Sequence, residues 1–358
     1  PEDIIATGDA DLVSMARPLL ADPQFVAKAA QDRGAEINTC IACNQACLDR
    51  TFRGQRASCL VNPRACRETE LVFTPAATPR RIAVVGAGVA GLAAATVAAE
   101  RGHHVWLFEA APEIGGQFRL AMQVPGKEDF RDTLRYFAAR IAATGVTLAV
   151  NRRVASHALV RDYDTVVVAS GVTPRMPPIP GIDHPKVISY ADLIAGRKHA
   201  GRTVAVIGAG GIGVDVCTFL LMDYAMSPAA WCAEWGVDPE AHAAGGLQPP
   251  VAHPSPRRVW LLQRRPDGKR MGAGPGKTTG WAHRIALKRR GVEMLAGVTY
   301  TKIDDRGLHI VVDGEARCVD VESVVICAGQ ESVNDAGALA TAKVHVIGGA
   351  HRAGDLDA

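Results

Sequence analysis

Four cysteines near the start of the chain are the residues best suited to chemistry. Cys40, Cys43, Cys47 and Cys59 are spaced C-x2-C-x3-C-x11-C. Three thiolates so close in sequence can ligate one face of an iron–sulfur cube, and the fourth can close the remaining corner. We interpret the set as ligands of a [4Fe–4S] cluster. Zinc, which also takes four thiolates, is the alternative, although zinc sites more often use two similar C-x2-4-C knuckles.

The other cysteines lack this spacing. Cys66 lies close enough to compete as a ligand, but a small packed thiol is the simpler interpretation. The remaining four are interpreted as structural: Cys217, Cys232, Cys318 and Cys327. The first residues, PEDIIATGDADL, have neither the basic nor the apolar region of a signal peptide. We therefore expect a cytoplasmic protein in a reducing compartment, where clustered cysteines indicate metal rather than disulfides.

A glycine-rich loop follows in the setting that dinucleotide binding requires. Gly86, Gly88 and Gly91 form G-x-G-x-x-G between an apolar stretch at 81–85 and an alanine-rich stretch at 92–99. We interpret these stretches as a strand and a helix. The first glycine permits a tight turn, the second lets the backbone approach a pyrophosphate, and the third lets helix and strand pack closely.

The residues after this loop select the nucleotide. The stretch 104–109 predicts a second strand that ends in Glu109, an acid placed to accept hydrogen bonds from ribose hydroxyls. A second glycine pair, Gly115 and Gly116, follows shortly and is joined by Gln117. This pattern is typical of FAD rather than free NAD, so the sequence predicts an FAD site that includes Gly116 and Gln117.

A second G-x-G-x-x-G, formed by Gly208, Gly210 and Gly213, predicts a separate nucleotide site. It follows a predicted strand at 203–207 and opens a predicted helix at 214–221. The two loops are the only internal repeat, which indicates two similar nucleotide-binding domains.

The ribose-reading position of the second site carries no acid. The next predicted strand, from residue 258, ends in Gln263 and is followed by Arg264 and Arg265. A carboxylate would repel a 2′-phosphate, whereas guanidinium groups pair with it, so the sequence favours NADPH. Arginines on an exposed sheet edge remain the alternative.

Other features limit the function classes. The segment from Gly272 to Thr278 resembles a phosphate-binding loop but has one residue too few between its outer glycines. We interpret it as an ordered loop near a cofactor. The formal net charge of +3 argues against nucleic acid as the main partner. No apolar run approaches the roughly 18 residues that span a bilayer.

The strand pattern predicts an α/β fold with two nested Rossmann-like dinucleotide-binding domains. Two apolar stretches, 166–171 and 324–329, end in small residues and fit the two crossings between a flavin domain and a nicotinamide domain inserted within it. A last strand at 344–349 is expected to return to the flavin domain, with no closing helix after it.

Several stretches resemble the bacterial NADPH-dependent 2,4-dienoyl-CoA reductases, within the wider trimethylamine dehydrogenase family of flavin iron–sulfur oxidoreductases. They are Cys40–Asp49, Cys59–Cys66, Gly115–Phe118, Glu234–Gly236 and Gly276–Trp281. The resemblance implies a remnant of an FMN-binding (β/α)8 barrel at 1–36 and a [4Fe–4S] segment at 37–79. It implies an FAD-binding domain at 80–174 and 325–358, truncated at its C-terminus, and an NADPH-binding domain at 175–324.

The same resemblance assigns individual residues. Val154 and Ala169 are placed in the adenine and pyrophosphate pocket of FAD, and Arg17 is placed against the FMN phosphate. The residues that protonate the substrate are expected upstream in the barrel, so no catalytic residue is assigned within the chain. His351 departs from the family, which often has Asp near the FAD at this position.

The resemblance also implies a reaction. Electrons pass from NADPH to FAD, to the [4Fe–4S] cluster, to FMN on the barrel, and then to a 2,4-dienoyl-CoA thioester of fatty-acid β-oxidation. A related enoate- or amine-type oxidoreductase with the same relay is the alternative. A non-enzymatic iron–sulfur module is a third hypothesis, and the two nucleotide loops count against it.

Overall fold

The computed structural model describes residues 1–221, 226–253, 255–266, 271, 276–334 and 343–354. The chain divides into two compact units. Unit 1 comprises Pro1–Arg119, Asp129–Gly171 and Ser332–Ala358, and unit 2 comprises Leu120–Glu128 and Val172–Glu331. The domain boundaries given by the resemblance, at 174/175 and 324/325, stay predictions beside these divisions.

Most helices are short. They are α1 Glu2–Ala6, α2 Arg17–Ala21, α3 Phe25–Ala30, α4 Val89–Glu100, α5 Phe118–Ala121, α6 Phe130–Thr144, α7 Ser156–Leu159, α8 Tyr190–Ile194, α9 Gly211–Leu221, α10 Pro228–Trp235, α11 Gly280–Arg289 and α12 Gly348–His351. Two irregular turns near the cysteines matter below, a 3₁₀ turn at Gly34–Glu36 and a π-helical turn at Gln45–Asp49.

The strands form two parallel sheets and two smaller antiparallel or ribbon-like ones. They are β1 Arg81–Val85, β2 His104–Phe108, β3 Thr147–Ala149, β4 Thr165–Val168, β5 Val172–Pro174, β6 Val187–Ser189, β7 Thr203–Ile207, β8 Arg258–Leu262, β9 Glu293–Leu295, β10 Thr299–Asp304, β11 Gly307–Val312, β12 Glu315–Val319, β13 Ser323–Ile326, β14 Gln330–Ser332 and β15 Val344–Val346.

Unit 1 is built on a five-stranded sheet in the order β15-β4-β1-β2-β3, and all its pairings are parallel. The central strand β1 is covered on both faces. Ile82 and Val84 pack into one apolar cluster, and Ala83 and Val85 pack into another. Burial on both sides explains why a parallel strand reads as a continuous apolar run rather than an alternating one. The strands predicted at 81–85 and 104–109 are confirmed as β1 and β2, the second ending one residue earlier, at Phe108.

Unit 2 repeats this arrangement with the order β6-β13-β7-β8-β9, again entirely parallel. Its central strand β7 divides two clusters in the same way, with Val204 and Val206 on one face and Ala205 and Ile207 on the other. The same unit contains an antiparallel sheet of β10, β11 and β12, and β5 pairs with β14 in a two-stranded sheet. The predicted α/β class with two Rossmann-like parallel sheets is therefore confirmed.

The end of the chain returns to the first sheet. Strand β15 pairs in parallel with β4, with Val344 opposite Val166 and Val346 opposite Val168. The predicted return is confirmed, but a one-turn helix, α12, follows where the sequence analysis expects none. The phosphate-loop-like segment cannot be compared with its prediction, because residues 272–275 lie outside the described residues. Within the described chain, no helix combines the length and apolarity needed to cross a bilayer.

Candidate cofactor sites

The first glycine loop has the geometry of a phosphate cradle. Gly86 has a φ of +103°, and a Cβ there would overlap the Ala169 carbonyl oxygen. A Cβ on Gly91 would overlap the Gly86 carbonyl oxygen, because helix α4 begins tightly against β1. In contrast, no heavy atom lies within 4 Å of a Cβ built on Gly88, the N-cap of α4. Two of the three glycines are thus required by the fold itself, and the middle one faces open space where a phosphate can approach the helix N-terminus.

This contrast gives a prediction. Gly88→Ala is expected to leave the thermal stability of the flavin-free protein unchanged while weakening FAD binding about tenfold or more, because the added methyl occupies only the ligand's space. Gly91→Ala is the control, and we expect it to lower the melting temperature of the flavin-free protein. Flavin content after dialysis and melting curves check both results. Equal loss of stability in the two variants would contradict the assignment.

Glu109 is tied to the glycine loop. Its Oε2 accepts a hydrogen bond of 2.8 Å from the Ala87 N–H, and its Oε1 accepts one of 2.8 Å from the Ala111 N–H. The carboxylate therefore holds the loop and retains lone pairs for a ribose hydroxyl. Its predicted contact with the FAD ribose stays a prediction.

The other predicted FAD residues lie around the same loop. Gly115 forms a parallel bridge with Gly88, and a Cβ on Gly116 would come within 3.1 Å of the Gly88 Cα. The glycine pair after Glu109 is thus needed for its close approach to the first loop. Gln117 directly precedes α5. The two residues assigned by the resemblance lie nearby: Ala169 is buried against Gly86 and Gly91, and Val154 packs beside the cluster that contains Phe108.

The second glycine loop repeats the first. Gly208 has a φ of +111°, and a Cβ there would overlap the Cys327 carbonyl oxygen. A Cβ on Gly213 would overlap the Gly208 carbonyl oxygen, whereas a Cβ on Gly210 meets nothing within 4 Å. The same division between structural glycines and an open middle glycine therefore marks a second nucleotide cradle, at the start of α9.

The residues after β8 form a braced turn. The Gln263 side-chain amide and the Gly297 N–H both donate to the Arg265 carbonyl oxygen, at 3.1 and 3.0 Å. The side chains of Arg264 and Arg265 are exposed at this turn, and no acid stands at the end of β8. The structure thus presents two guanidinium groups at the strand end where the ribose-reading residue of this fold lies.

The four predicted cluster ligands line a single cavity in unit 1. Its wall is otherwise mainly apolar and is completed by Arg17, Leu20, Ile41, Asn44, Ala46 and Leu60. Cys66 lies outside this wall and its side chain is exposed. Arg17, which the resemblance places against an FMN phosphate, donates a hydrogen bond of 3.0 Å from Nη1 to the Asn44 Oδ1. The structure therefore brings Arg17 to the cysteine loop, and its contact with FMN stays a prediction.

The backbone around these cysteines turns N–H groups toward sulfur. Ala42 and Asn44 both adopt left-handed φ values, +51° and +58°, which non-glycine residues take rarely. The Ala42 N–H lies 3.4 Å from the Cys40 Sγ. Successive N–H groups in such conformations form concave nests that bind anions, including those of iron–sulfur sites. The loop is suited to holding thiolates.

Burial affects the acidity of these thiols. It raises the pKa of Cys43 to about 11, partly opposed by the Gln45 backbone N–H, and the neighbouring thiols Cys47, Cys59 and Cys40 add to the increase. Burial likewise raises the pKa of Cys59, while the N–H groups of Val61 and Asn62 lower it in part. The four sulfurs are close enough to influence one another, and a bound cation would favour their deprotonated form.

Zinc and an iron–sulfur cluster require different separations between the ligating sulfurs. Among the described residues, no group of three or more His, Cys, Asp or Glu side chains is arranged to hold a metal ion. A tetrahedral zinc ion bonded at about 2.3 Å would bring its four sulfurs to about 3.8 Å from one another. In a cubane, iron and sulfide ions lie between the thiolates, so the sulfurs stand farther apart.

A buried polar network joins the two ends of the cysteine segment. Asn38, two residues before Cys40, donates from Nδ2 to the Val61 carbonyl oxygen at 2.7 Å, and its N–H donates to the Asp22 Oδ2 at 2.8 Å. Asp22 also forms a buried ion pair of 2.6 Å with Lys28. The sequence analysis missed these residues, because a single Asn, Asp or Lys in an irregular segment gives no periodic or motif signal.

The comparisons agree with this geometry. Residues 80–350 match the family model of the pyridine nucleotide-disulphide oxidoreductases. The chain belongs to this family. Membership implies binding of FAD and NAD(P)H and an oxidoreductase function, as the two glycine cradles suggest.

Individual relatives align to more of the chain than the family model does. The chain is 34% identical to the metal reductase of Desulforamulus reducens, over 93% of this chain and 50% of that protein. It is 29% identical to the cinnamate reductase of Clostridium sporogenes, over 93% of this chain and 45% of that protein. Its fold matches 2-naphthoyl-CoA reductase in complex with 2-naphthoyl-CoA, with a TM-score of 0.84 and 28% identity, over 99% of this chain and 50% of that one.

The chain therefore spans about half the length of the relatives that it matches. Two of these three relatives are named for reduction of 2-naphthoyl-CoA or of cinnamate, and the third is named a metal reductase. All three are reductases by name, and they differ in their substrates.

Proposed function

We propose that this chain is the electron-supplying part of an NADPH-dependent flavin and iron–sulfur reductase. The observation that carries the proposal is the cavity lined by Cys40, Cys43, Cys47 and Cys59, in the same unit as the FAD-type loop. A nucleotide cradle alone fits any member of the family, whereas four cysteines around one mainly apolar cavity favour a further electron carrier, an iron–sulfur cluster.

We assign this cavity to a [4Fe–4S] cluster rather than zinc because of the C-x2-C-x3-C-x11-C spacing of its cysteines. Four thiols share the cavity, the Ala42 N–H lies 3.4 Å from the Cys40 Sγ, and backbone N–H groups also act on Cys43 and Cys59. When bound, the cluster would accept and pass on single electrons. The residues of the chain hold the thiolates, exclude water with Ile41, Leu20 and Leu60, and supply N–H donors that stabilise the negative charge.

The second cradle is assigned to NADPH. The open space at Gly210 and the α9 N-terminus would receive the pyrophosphate, and the exposed side chains of Arg264 and Arg265 would pair with the 2′-phosphate. FAD is assigned to the first cradle, where Gly88 is open and Glu109 fixes the loop. FAD converts a two-electron hydride into single electrons, and the protein contributes their placement.

The substrate of the whole protein is proposed from the resemblance as a 2,4-dienoyl-CoA thioester, reduced on an FMN held outside these units. The likeness to a protein named 2-naphthoyl-CoA reductase favours an unsaturated acyl-CoA. A free enoate is the second candidate, because the chain is also similar to a cinnamate reductase.

The division of labour can be tested with the 358-residue chain itself. After reconstitution with FAD, iron and sulfide, it is expected to oxidise NADPH with ferricyanide as acceptor and to leave 2,4-dienoyl-CoA unchanged. Adding the upstream part of the native protein is expected to give dienoyl-CoA reduction, measured by loss of the dienoyl absorbance. Turnover of dienoyl-CoA by the isolated chain would place the substrate site within these residues and overturn the proposal.

A further inference from the structure

Arg135, on helix α6, binds the segment that leads to Cys40, the first of the four cysteines. Arg135 of α6 donates from Nη1 to the carbonyl oxygens of Gly34 and Ala35, at 2.9 and 2.7 Å. Its Nη2 donates to the Ile37 carbonyl oxygen at 3.1 Å and to the Thr39 Oγ1 at 2.8 Å. Thr39 directly precedes Cys40, so the guanidinium holds the segment that delivers the first ligand.

Every N–H group of the Arg135 guanidinium has an acceptor. Arg135 Nε lies 3.2 Å from the Asp132 Oδ1, which orients the group from one turn earlier on α6. All five N–H donors of a guanidinium are thereby engaged. Three acceptors are carbonyl oxygens in and just after the 3₁₀ turn Gly34–Glu36, and the Gly34 oxygen also accepts from the Ile37 N–H. A lysine ammonium, with three donors and no planar fork, cannot reproduce the set.

The contact chain reaches the flavin cradle through packed helices. Helix α6 packs against the turn Gly34–Glu36 on one side and against α4 on another. Helix α4 has Gly88, the open glycine of the FAD-type loop, as its N-cap. Tyr136, the residue after Arg135, adds a second link, because the Lys28 ammonium lies 5.8 Å from its ring centroid. Every residue in this chain of contacts belongs to unit 1.

We propose that Arg135 is a positioning residue for electron transfer, which fixes the Thr39–Cys40 segment against α6 and so sets the separation of the FAD and the cluster. This inference rests on the proposed function. Asn38 holds the same segment independently, through Asp22 and Val61. Loss of Arg135 therefore leaves the cysteines able to assemble, but with Cys40 less tightly placed relative to the flavin cradle. Functional groups need placement to within about 0.5 Å by their supporting contacts.

The test compares three variants of the reconstituted chain: Arg135→Gln, Arg135→Lys and Arg131→Gln. Arg131 is exposed on the same helix and serves as the matched control. Iron, labile sulfide and FAD are quantified first, and NADPH is then mixed anaerobically in a stopped-flow instrument. Flavin reduction by NADPH is expected at the wild-type rate in all three. Transfer from the reduced flavin to the cluster is expected to slow about tenfold or more in Arg135→Gln, less in Arg135→Lys, and not at all in Arg131→Gln.

The possible failures are distinguishable. A wild-type chain that binds FAD but no cluster would remove the proposed function and this inference together. A wild-type chain with a cluster, combined with an unchanged flavin-to-cluster rate in Arg135→Gln, would overturn the inference alone. Suppose that flavin-to-cluster transfer is slowed in Arg135→Gln but runs at the wild-type rate in Arg135→Lys. The positive charge, and not the guanidinium fork, would then be what matters, and the inference would be overturned. If Arg135→Gln assembles no cluster, the rate in Arg135→Lys decides: slowed transfer supports the inference and wild-type transfer overturns it.

Discussion

Cys47→Ser is expected to abolish the cluster, with loss of nearly all labile sulfide and of the broad visible absorbance. Cys47 lines the shared cavity and lies in the π-helical turn Gln45–Asp49, so no other cysteine can replace its sulfur without rebuilding the turn. Iron and sulfide analysis of anaerobically reconstituted protein measures the effect. The FAD cradle is built from other residues, so ferricyanide reduction by NADPH should largely persist.

Cys66→Ser is the matched control for this variant. Cys66 is exposed and absent from the cavity wall, and its N–H donates to the Glu68 side chain at 3.0 Å. We expect it to retain the full iron and sulfide content. If the unaltered protein contained zinc and no labile sulfide, the assignment of the four cysteines to a [4Fe–4S] cluster would be contradicted.

The double variant Arg264→Ala/Arg265→Ala is expected to weaken NADPH binding about 10- to 150-fold while leaving NADH affinity almost unchanged. The range follows from about 1.5–3 kcal/mol for hydrogen bonds to a charged group. Only NADPH has a 2′-phosphate for these exposed guanidinium groups. Titration of both nucleotides by quenching of flavin fluorescence measures the ratio.

Arg258 provides the control for the NADPH variant. It begins the same strand, β8, and lies over the Trp260 ring, at the far end from Arg264. Arg258→Ala should therefore leave the NADPH-to-NADH ratio unchanged. Equal loss of affinity for both nucleotides in the double variant would show that the 2′-phosphate binds elsewhere.

The sequence predicts those features that are local and repeated. The strand, glycine loop and helix around Gly86 and Gly208 can be identified because each depends on neighbouring residues whose types the turn itself demands. Both loops then fold as expected, with the outer glycines in contact with backbone oxygens. The convergence of the four cysteines follows similarly, since three of them are only a few residues apart.

The supporting contacts could not be predicted from the sequence. Arg135 lies on an amphipathic helix and resembles any exposed charge, yet its acceptors are about 100 residues earlier in the chain. Asn38 and Val61 are also far apart in sequence and are joined by one side-chain amide. Such contacts depend on tertiary packing, and a single sequence contains no periodic signal for them. Glu109 shows an intermediate case, since its position at a strand end is predictable but its hydrogen bond to Ala87 is not.

Electron paramagnetic resonance of the reconstituted 358-residue chain tests the central claim most directly. Anaerobic addition of NADPH should bleach the flavin and then produce the signal of a reduced [4Fe–4S] cluster, because the chain is proposed to hold both the hydride acceptor and the one-electron carrier. The signal should be absent from Cys47→Ser, although its flavin bleaches normally. Flavin bleaching without any cluster signal in the unaltered chain would contradict the relay, since electrons would then end at the FAD.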